Sequence, residues 1–191
     1  MDCPLLSTLG SNYSQSASNF HMRDYRYSTN RLLVYEWHTI SPDDSKQESL
    51  DNIVINILTP KVTQSLPPHW QGIYPLDRAR NWIKERDEEG VTLIVIEQST
   101  QTAIGFVILF EDATGNDLRL GYLLAESAWG KGYASELIRG FVEWCKNNDV
   151  ARVTGGVERD NNASRRVLEK NGFICESDTN EGSEQMFVLR V

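Results

Sequence analysis

Hydrophobic positions change their spacing several times along this chain, and each change marks an element. The run Arg31-Leu32-Leu33-Val34-Tyr35-Glu36-Trp37 predicts a strand. Ser41-Pro42-Asp43-Asp44 is a helix-start signal ahead of the apolar stretch 53–58. Pro60, Pro67 and Pro68 then break the chain, so 59–75 reads as loop with short helical pieces. Leu76, Ala79, Trp82 and Ile83 recur at helical spacing before a charged run and Gly90, which predicts an amphipathic helix with a glycine stop. Strands follow at 91–97 and 103–110, joined by a polar turn at 98–101. After a turn at 112–116, Leu118, Leu120, Tyr122 and Leu124 alternate with Arg119, Gly121 and Leu123, giving the third strand of a meander. A helix starts near Gly130, with Ala134, Leu137, Ile138, Phe141 and Cys145 as core stripe and Glu136, Arg139, Glu143 and Lys146 as wet face. A short strand at 152–157 precedes a second helix at 161–171, capped by Asp160 or Asn161. Gly172 supplies the left-handed stop, and Phe173 packs back on Leu168. Strands at 173–177 and 185–190 end an order of β, helices, βββ, α, β, α, ββ.

The first 28 residues lack such a pattern. Five of the twelve residues from Ser7 to Ser18 are serine, so 1–28 is read as a flexible N-terminal tail and 29–191 as the domain. With 191 residues, 40% apolar and 24% charged, the chain fits one soluble globular domain that needs no covalent staples. The net charge is 19 − 27 = −8, which argues against a nucleic-acid partner and is compatible with a cationic substrate. No apolar run is long enough to span a bilayer, and no basic-then-apolar leader is visible, so no membrane partner is expected. Cys3, Cys145 and Cys175 are widely spaced and odd in number, which fits free thiols in a reducing cytoplasm. His21, His38 and His69 carry no metal spacing, so no metal is expected.

The segment from Leu123 to Glu136 carries the clearest chemistry. It runs from strand through Trp129-Gly130-Lys131-Gly132-Tyr133-Ala134-Ser135 into a long amphipathic helix. Glycines two apart allow close backbone approach, and a helix's first turn offers unpaired N–H groups and a partial positive charge. That is a ready site for a phosphate or pyrophosphate; the other reading is a flexible strand–helix turn. Gly-x-x-x-x-Gly-Lys-Ser/Thr and Gly-x-Gly-x-x-Gly are both absent, which disfavours nucleoside triphosphate and dinucleotide sites.

Trp129-Gly130-Lys131-Gly132-Tyr133-Ala134 resembles the acetyl-CoA loop Gln/Arg-x-x-Gly-x-Gly/Ala of the GCN5-related N-acetyltransferases (GNAT). Trp129 departs at the first position, as is typical of the RimJ/RimL-like ribosomal-protein alanine acetyltransferase branch. A second motif agrees: the run from Asp160-Asn161-Asn162-Ala163-Ser164 to Glu169-Lys170-Asn171-Gly172-Phe173 is similar to the family's Asn-x-x-Ser…Glu-Lys-x-Gly-Phe. The resemblance covers roughly 29–191 and is strongest at 118–173. It implies an α+β GNAT fold, with one mixed, mostly antiparallel sheet of six to seven strands flanked by about four helices. It implies an acetyl-CoA-dependent N-acetyltransferase acting by direct transfer on a primary amine, either a protein N-terminal amine or a small molecule, as monomer or homodimer. The competing class is a catalytically silent CoA-binding module.

By the same resemblance, Trp129, Gly130, Lys131, Gly132, Tyr133, Ala134 and Ser135 form the cofactor loop, with backbone N–H groups from Gly130 to Ala134 on the pyrophosphate. Leu123 and Leu124 pair with the pantetheine arm, and a Leu124 backbone N–H polarises the thioester carbonyl. Asn161 either binds the pantetheine or substrate or caps its helix. Ser164 either protonates the departing thiolate or caps the same helix. The superfamily's frequent helical Tyr acid is Leu168 here. Arg119 stands where the branch commonly has an acidic residue; it either pairs a substrate anion or faces solvent. Glu97, Glu111, Asp112 and Glu158 are the candidate bases, or simply surface carboxylates. Trp37, Trp70, Tyr74 and Trp82 fall in the half that builds the acceptor pocket; core packing is the plainer role, and His69-Trp70 is a candidate pocket lip.

Overall fold

The apolar runs at 91–97 and 102–111 form the centre of one eight-stranded sheet, as suits strands covered on both faces. The computed structural model describes residues 24–39, 48–64, 66, 68–113, 115–177 and 184–191. Its strands are β1 (Tyr27–Ser28), β2 (Leu32–Glu36), β3 (Val91–Glu97), β4 (Thr102–Glu111), β5 (Asp117–Leu124), β6 (Arg152–Glu158), β7 (Ile174–Ser177) and β8 (Glu184–Arg190). The described helices are α1 (Leu50–Ile57), α2 (Pro60–Thr63), α3 (Leu76–Glu89), α4 (Tyr133–Lys146) and α5 (Asn162–Lys170). The strand order is β1-β2-β3-β4-β5-β6-β8-β7, and β5–β6 is the parallel pair in an otherwise antiparallel sheet. The expected α+β architecture is present, with eight strands rather than six to seven and five described helices rather than about four.

Each face of the sheet carries its own core. On one face Leu118, Leu120 and Leu124 of β5 pack with Leu137, Ile138, Phe141 and Cys145 of α4 and Leu168 of α5. On the other, Phe106 and Ile108 of β4 and Leu123 of β5 pack with α1, Trp37, Trp70 and Trp82. Burying each such side chain contributes about 1.5–3 kcal/mol.

Several expectations are corrected. The segment assigned to the tail enters the core at its end: Tyr25 is buried and stacks on Trp144, while Tyr27 and Ser28 form β1. Aromatic residues there supply the apolar area that the serine-rich stretch lacks; residues 1–23 lie outside those described. The helix-start signal at Ser41–Asp44 also lies outside them, and α1 begins at Leu50 behind an Ser49 cap that accepts from the Asn52 N–H. Leu76, placed on a buried stripe, is 42% exposed, and Arg86 takes a buried place on α3 instead. Glu136, placed on the wet face of α4, is 6% exposed, because Thr29 and Arg31 fold over it. The helix expected near Gly130 starts at Tyr133, since Gly130 and Gly132 hold φ of 72° and 79°, outside helical space. At α5, Asn161 is the cap, and Gly172 (φ 89°) ends the helix while the Phe173 N–H donates to the Leu168 carbonyl.

Candidate active site

β5 and β6 pair only at Asp117–Arg152, Leu118–Val153 and Arg119–Thr154. Beyond that point β5 stays on β4 and β6 stays on β8, so the two strands part in a wedge. Register decides which groups face it. The Ala125 N–H donates to the Ile104 carbonyl at 2.8 Å, and Leu124 lies level with Gly105. Antiparallel alternation then commits the backbone of Leu123 and Gly121 to β4 and turns that of Leu120, Tyr122 and Leu124 toward the wedge. Of the two leucines named from sequence, only Leu124 has a backbone N–H there. Its carbonyl accepts from the Trp129 indole N–H at 2.8 Å, so the side chain of Trp129 closes the end of the strand. Gly105 permits this arrangement, because a Cβ there would come within 2.4 Å of the Leu123 oxygen.

The wedge leads into the glycine loop. A Cβ on Gly130 would meet nothing within 4 Å, so that side of the loop is open. A Cβ on Gly132 would come 3.7 Å from the Arg31 guanidinium. Arg31 also donates to the Lys131 carbonyl at 3.1 Å and lies 4.3 Å from the Tyr133 ring centre. Gly132 is the N-cap of α4, with no side-chain cap, so the first-turn amides of Tyr133, Ala134 and Ser135 have no partner inside the helix. Open space, left-handed glycines and a helix dipole suit a pyrophosphate, and the free β5 edge suits an amide-bearing arm. The residues present therefore fit CoA.

Beside the wedge lies a cleft lined by both strands, by Leu66 and Trp70, by the cap residue Asn161, and by Ser164 and Leu168 of α5. The Ser164 hydroxyl is 2.7 Å from the Tyr122 phenol. Burial raises the Tyr122 pKa to about 12, against a smaller lowering by the Ser164 bond, so the phenol stays protonated at neutral pH. The Asn161 carboxamide oxygen accepts from the Ser164 N–H at 3.1 Å. Asn161 is thus the helix cap, and the Ser164 hydroxyl is not. In the sequence, Tyr122 reads only as an alternating strand position. The Gly121-Tyr122 pair was a usable signal, but Tyr122's meeting with Ser164 depends on the approach of α5.

The four candidate bases separate cleanly. Glu97 accepts from the Tyr133 phenol at 2.5 Å, from Thr100 at 2.8 Å and from Ser99 at 3.1 Å, and these bonds hold its pKa below the usual carboxylate range. Glu111 accepts from the Tyr25 phenol, and Asp112 from the Asp117 N–H at 3.1 Å. Glu158 alone of the four lines the cleft, and Glu184, opposite it on β8, lines the cleft too. Gly155 and Gly156 of β6 line the cleft as well, and a glycine doublet inside a strand is a sequence signal of close approach.

The aromatic half is built as a wall. Trp70 is buried and reaches the cleft. The Arg86 guanidinium lies 4.1 Å from the Trp70 ring centre and 5.6 Å from that of Trp82, and donates to Glu89 at 2.7 Å. Arg78 donates to the carbonyls of His69, Gln71 and Ile73 at 3.0, 2.8 and 2.8 Å, tying that loop to α3. Trp37 and Trp82 pack in the core, and His69 lies exposed beside Trp70. Among the described residues no group of three His, Cys, Asp or Glu could hold a metal ion, and no helix is long and apolar enough to cross a membrane.

A family model described as an acetyltransferase (GNAT) domain matches residues 44–174. A curated relative, the uncharacterized N-acetyltransferase YjdG of Bacillus subtilis (strain 168), is 26% identical over 99 residues, 51% of this chain and 59% of its own. The chain therefore spans about three-fifths of that relative's length. A GNAT-family acetyltransferase from Bacillus anthracis superposes with a TM-score of 0.69 at 18% identity, covering 86% of this chain and 98% of the other. Spermidine N-acetyltransferase from Vibrio cholerae, in complex with CoA and spermine, gives 0.65 at 15%, covering 84% and 95%. Ribosomal-protein-S5-alanine acetyltransferase from Vibrio fischeri gives 0.57 at 14%, covering 87% and 97%. The wedge, the glycine loop and a family match over most of the domain lead to one assignment: this chain belongs to the GNAT acetyltransferase family.

Proposed function

We propose that the protein is an acetyl-CoA-dependent N-acetyltransferase that moves the acetyl group directly from CoA to a primary amine, in the manner of the RimJ/RimL-like branch. One observation carries the reading: the open edge of β5, with the Leu124 N–H on it, runs into the left-handed glycine loop on one side and toward the Tyr122–Ser164 pair on the other. Amides from Gly130 to Ala134 hold the pyrophosphate. The Leu124 N–H polarises the thioester carbonyl, and preorganised donors of this kind typically contribute about 10²–10³ in rate. The acceptor amine enters between the Trp70 wall and the β6–β8 face, where Glu158 is the carboxylate placed to draw off its proton. Ser164, hydrogen-bonded to Tyr122, donates a proton to the departing sulfur. Acetyl-CoA supplies the activated acyl group; the fold brings the amine to it.

The test is incubation with acetyl-CoA and a panel of amines, following free thiol release alongside the shift in melting temperature. Release that requires an amine supports the reading. A melting shift without release from any amine overturns it in favour of a silent CoA-binding module.

A further inference from the structure

The cleft is electrically lopsided. At the far end of β6, Glu158 lies directly opposite Glu184 on β8, and both line the cleft at the level where β5 ends. At the near end, where β5 and β6 are still paired, Arg119 lines the same cleft. Arg119 is exposed, and its neighbours in register are Phe110 on β4 and Thr154 on β6, neither of which can neutralise it. The other arginines on this face are paired: Arg152 contacts Asp117 at 3.4 Å and Arg190 contacts Glu176 at 3.1 Å. Arg119 has no hydrogen bond or ion pair to any described residue. In a chain of net charge −8, an unneutralised guanidinium in the wall of a cleft is a specific local attraction for an anion.

The strand register sets the spacing. Arg119 is level with Thr154, and Glu158 lies four residues further along β6. At a rise of about 3.3 Å per residue the two levels are about 13 Å apart, less whatever the flexible arginine side chain spans.

Resting on the transferase reading above, we infer that the acceptor is an amine carrying an anionic group, a carboxylate or phosphate about 6–13 Å from the reacting nitrogen, which Arg119 binds while the amine sits at Glu158. A peptide with an acidic residue just after its N-terminus and a small ω-amino acid share this chemistry.

The experiment compares matched acceptors by free CoA release: Ala-Glu-Ala amide against Ala-Gln-Ala amide, and 5-aminopentanoate against pentylamine. The acidic member of at least one pair should show kcat/KM about tenfold or more above its neutral partner, the size of one charge-assisted contact. Which pair responds identifies the source. The preference should shrink in salt, because the arginine is exposed. Arg119→Gln should abolish it, and Arg119→Glu should turn it toward Ala-Lys-Ala amide. Turnover with equal use of acidic and neutral acceptors, or a preference that survives Arg119→Gln, overturns the inference alone. CoA binding with no turnover of any amine overturns the transferase reading and this one with it.

Discussion

Tyr122 and Ser164 put two hydroxyls 2.7 Å apart in the cleft, and they separate two kinds of contribution. If Ser164 delivers the proton, Ser164→Ala lowers kcat by about 10² or more with acetyl-CoA affinity little changed. A thiol's pKa lies near 8.5, so the leaving group needs that proton less as pH rises, and the defect shrinks past about pH 9. Tyr122, raised to about 12, does not titrate in that window, so the pH dependence belongs to the leaving group. Tyr122→Phe removes only the orienting partner and should cost less than Ser164→Ala. The double variant should be no worse than Ser164→Ala alone, because the two act as a unit. A Ser164→Ala defect that stays constant from pH 7 to 9.5 would assign the hydroxyl to positioning instead. Since Asn161 already caps α5, loss of the Ser164 hydroxyl should not unwind the helix.

At the scale of elements, the loop from Gly130 to Gly132 depends on backbone shape. Gly132 holds φ 79°, where a β-branched residue is strained, so Gly132→Val should redirect the first amides of α4. Acetyl-CoA affinity should fall tenfold or more while far-UV circular dichroism stays native; wild-type affinity by calorimetry in the folded variant would remove the assigned phosphate site. The form of this loop was legible in sequence because its signals are local: glycines, helix start and strand end are contiguous. The α5 motif was legible for the same reason, as were the meander strands, whose apolar runs survive burial on both faces. Other parts required the third dimension. Choosing Leu124 over Leu123 needs the register of β5 on β4. Arg86 reads as a polar position on α3, and its burial is explained by contacts made in the fold, its place over Trp70 and Trp82 and its bond to Glu89. Tyr122, Trp70 and Glu184 come from three separate stretches, and no spacing links them.

Across the whole molecule, the start of the described chain is fastened to the glycine loop through one carboxylate. Glu136 in the first turn of α4 accepts from the Thr29 hydroxyl at 2.7 Å, the Arg31 backbone N–H at 2.8 Å and the Arg31 side chain at 2.7 Å. Arg31 also reaches the Lys131 carbonyl, so the β1–β2 turn, the glycine loop and α4 share a single polar junction. Burial raises the pKa of Glu136, but the bonds from Thr29 and Arg31 outweigh it and hold the carboxyl below its ordinary value near 4.5. A depressed folded-state pKa means that the stabilisation is fully present above about 4.5 and is lost as pH falls through the lower folded value. Glu136→Gln should therefore cost about 1–2 kcal/mol at pH 7, the low part of the range for bonds to a charged group because Arg31 is two-fifths exposed. The gap between variant and wild type in urea midpoint should narrow as the pH is lowered below about 4.5. If it remains constant down to pH 3, the junction is held by packing rather than by charge. Because the same carboxylate fixes Arg31 beside the loop, the variant should also bind acetyl-CoA more weakly at pH 7, so that a single substitution reports on both the fold and the site.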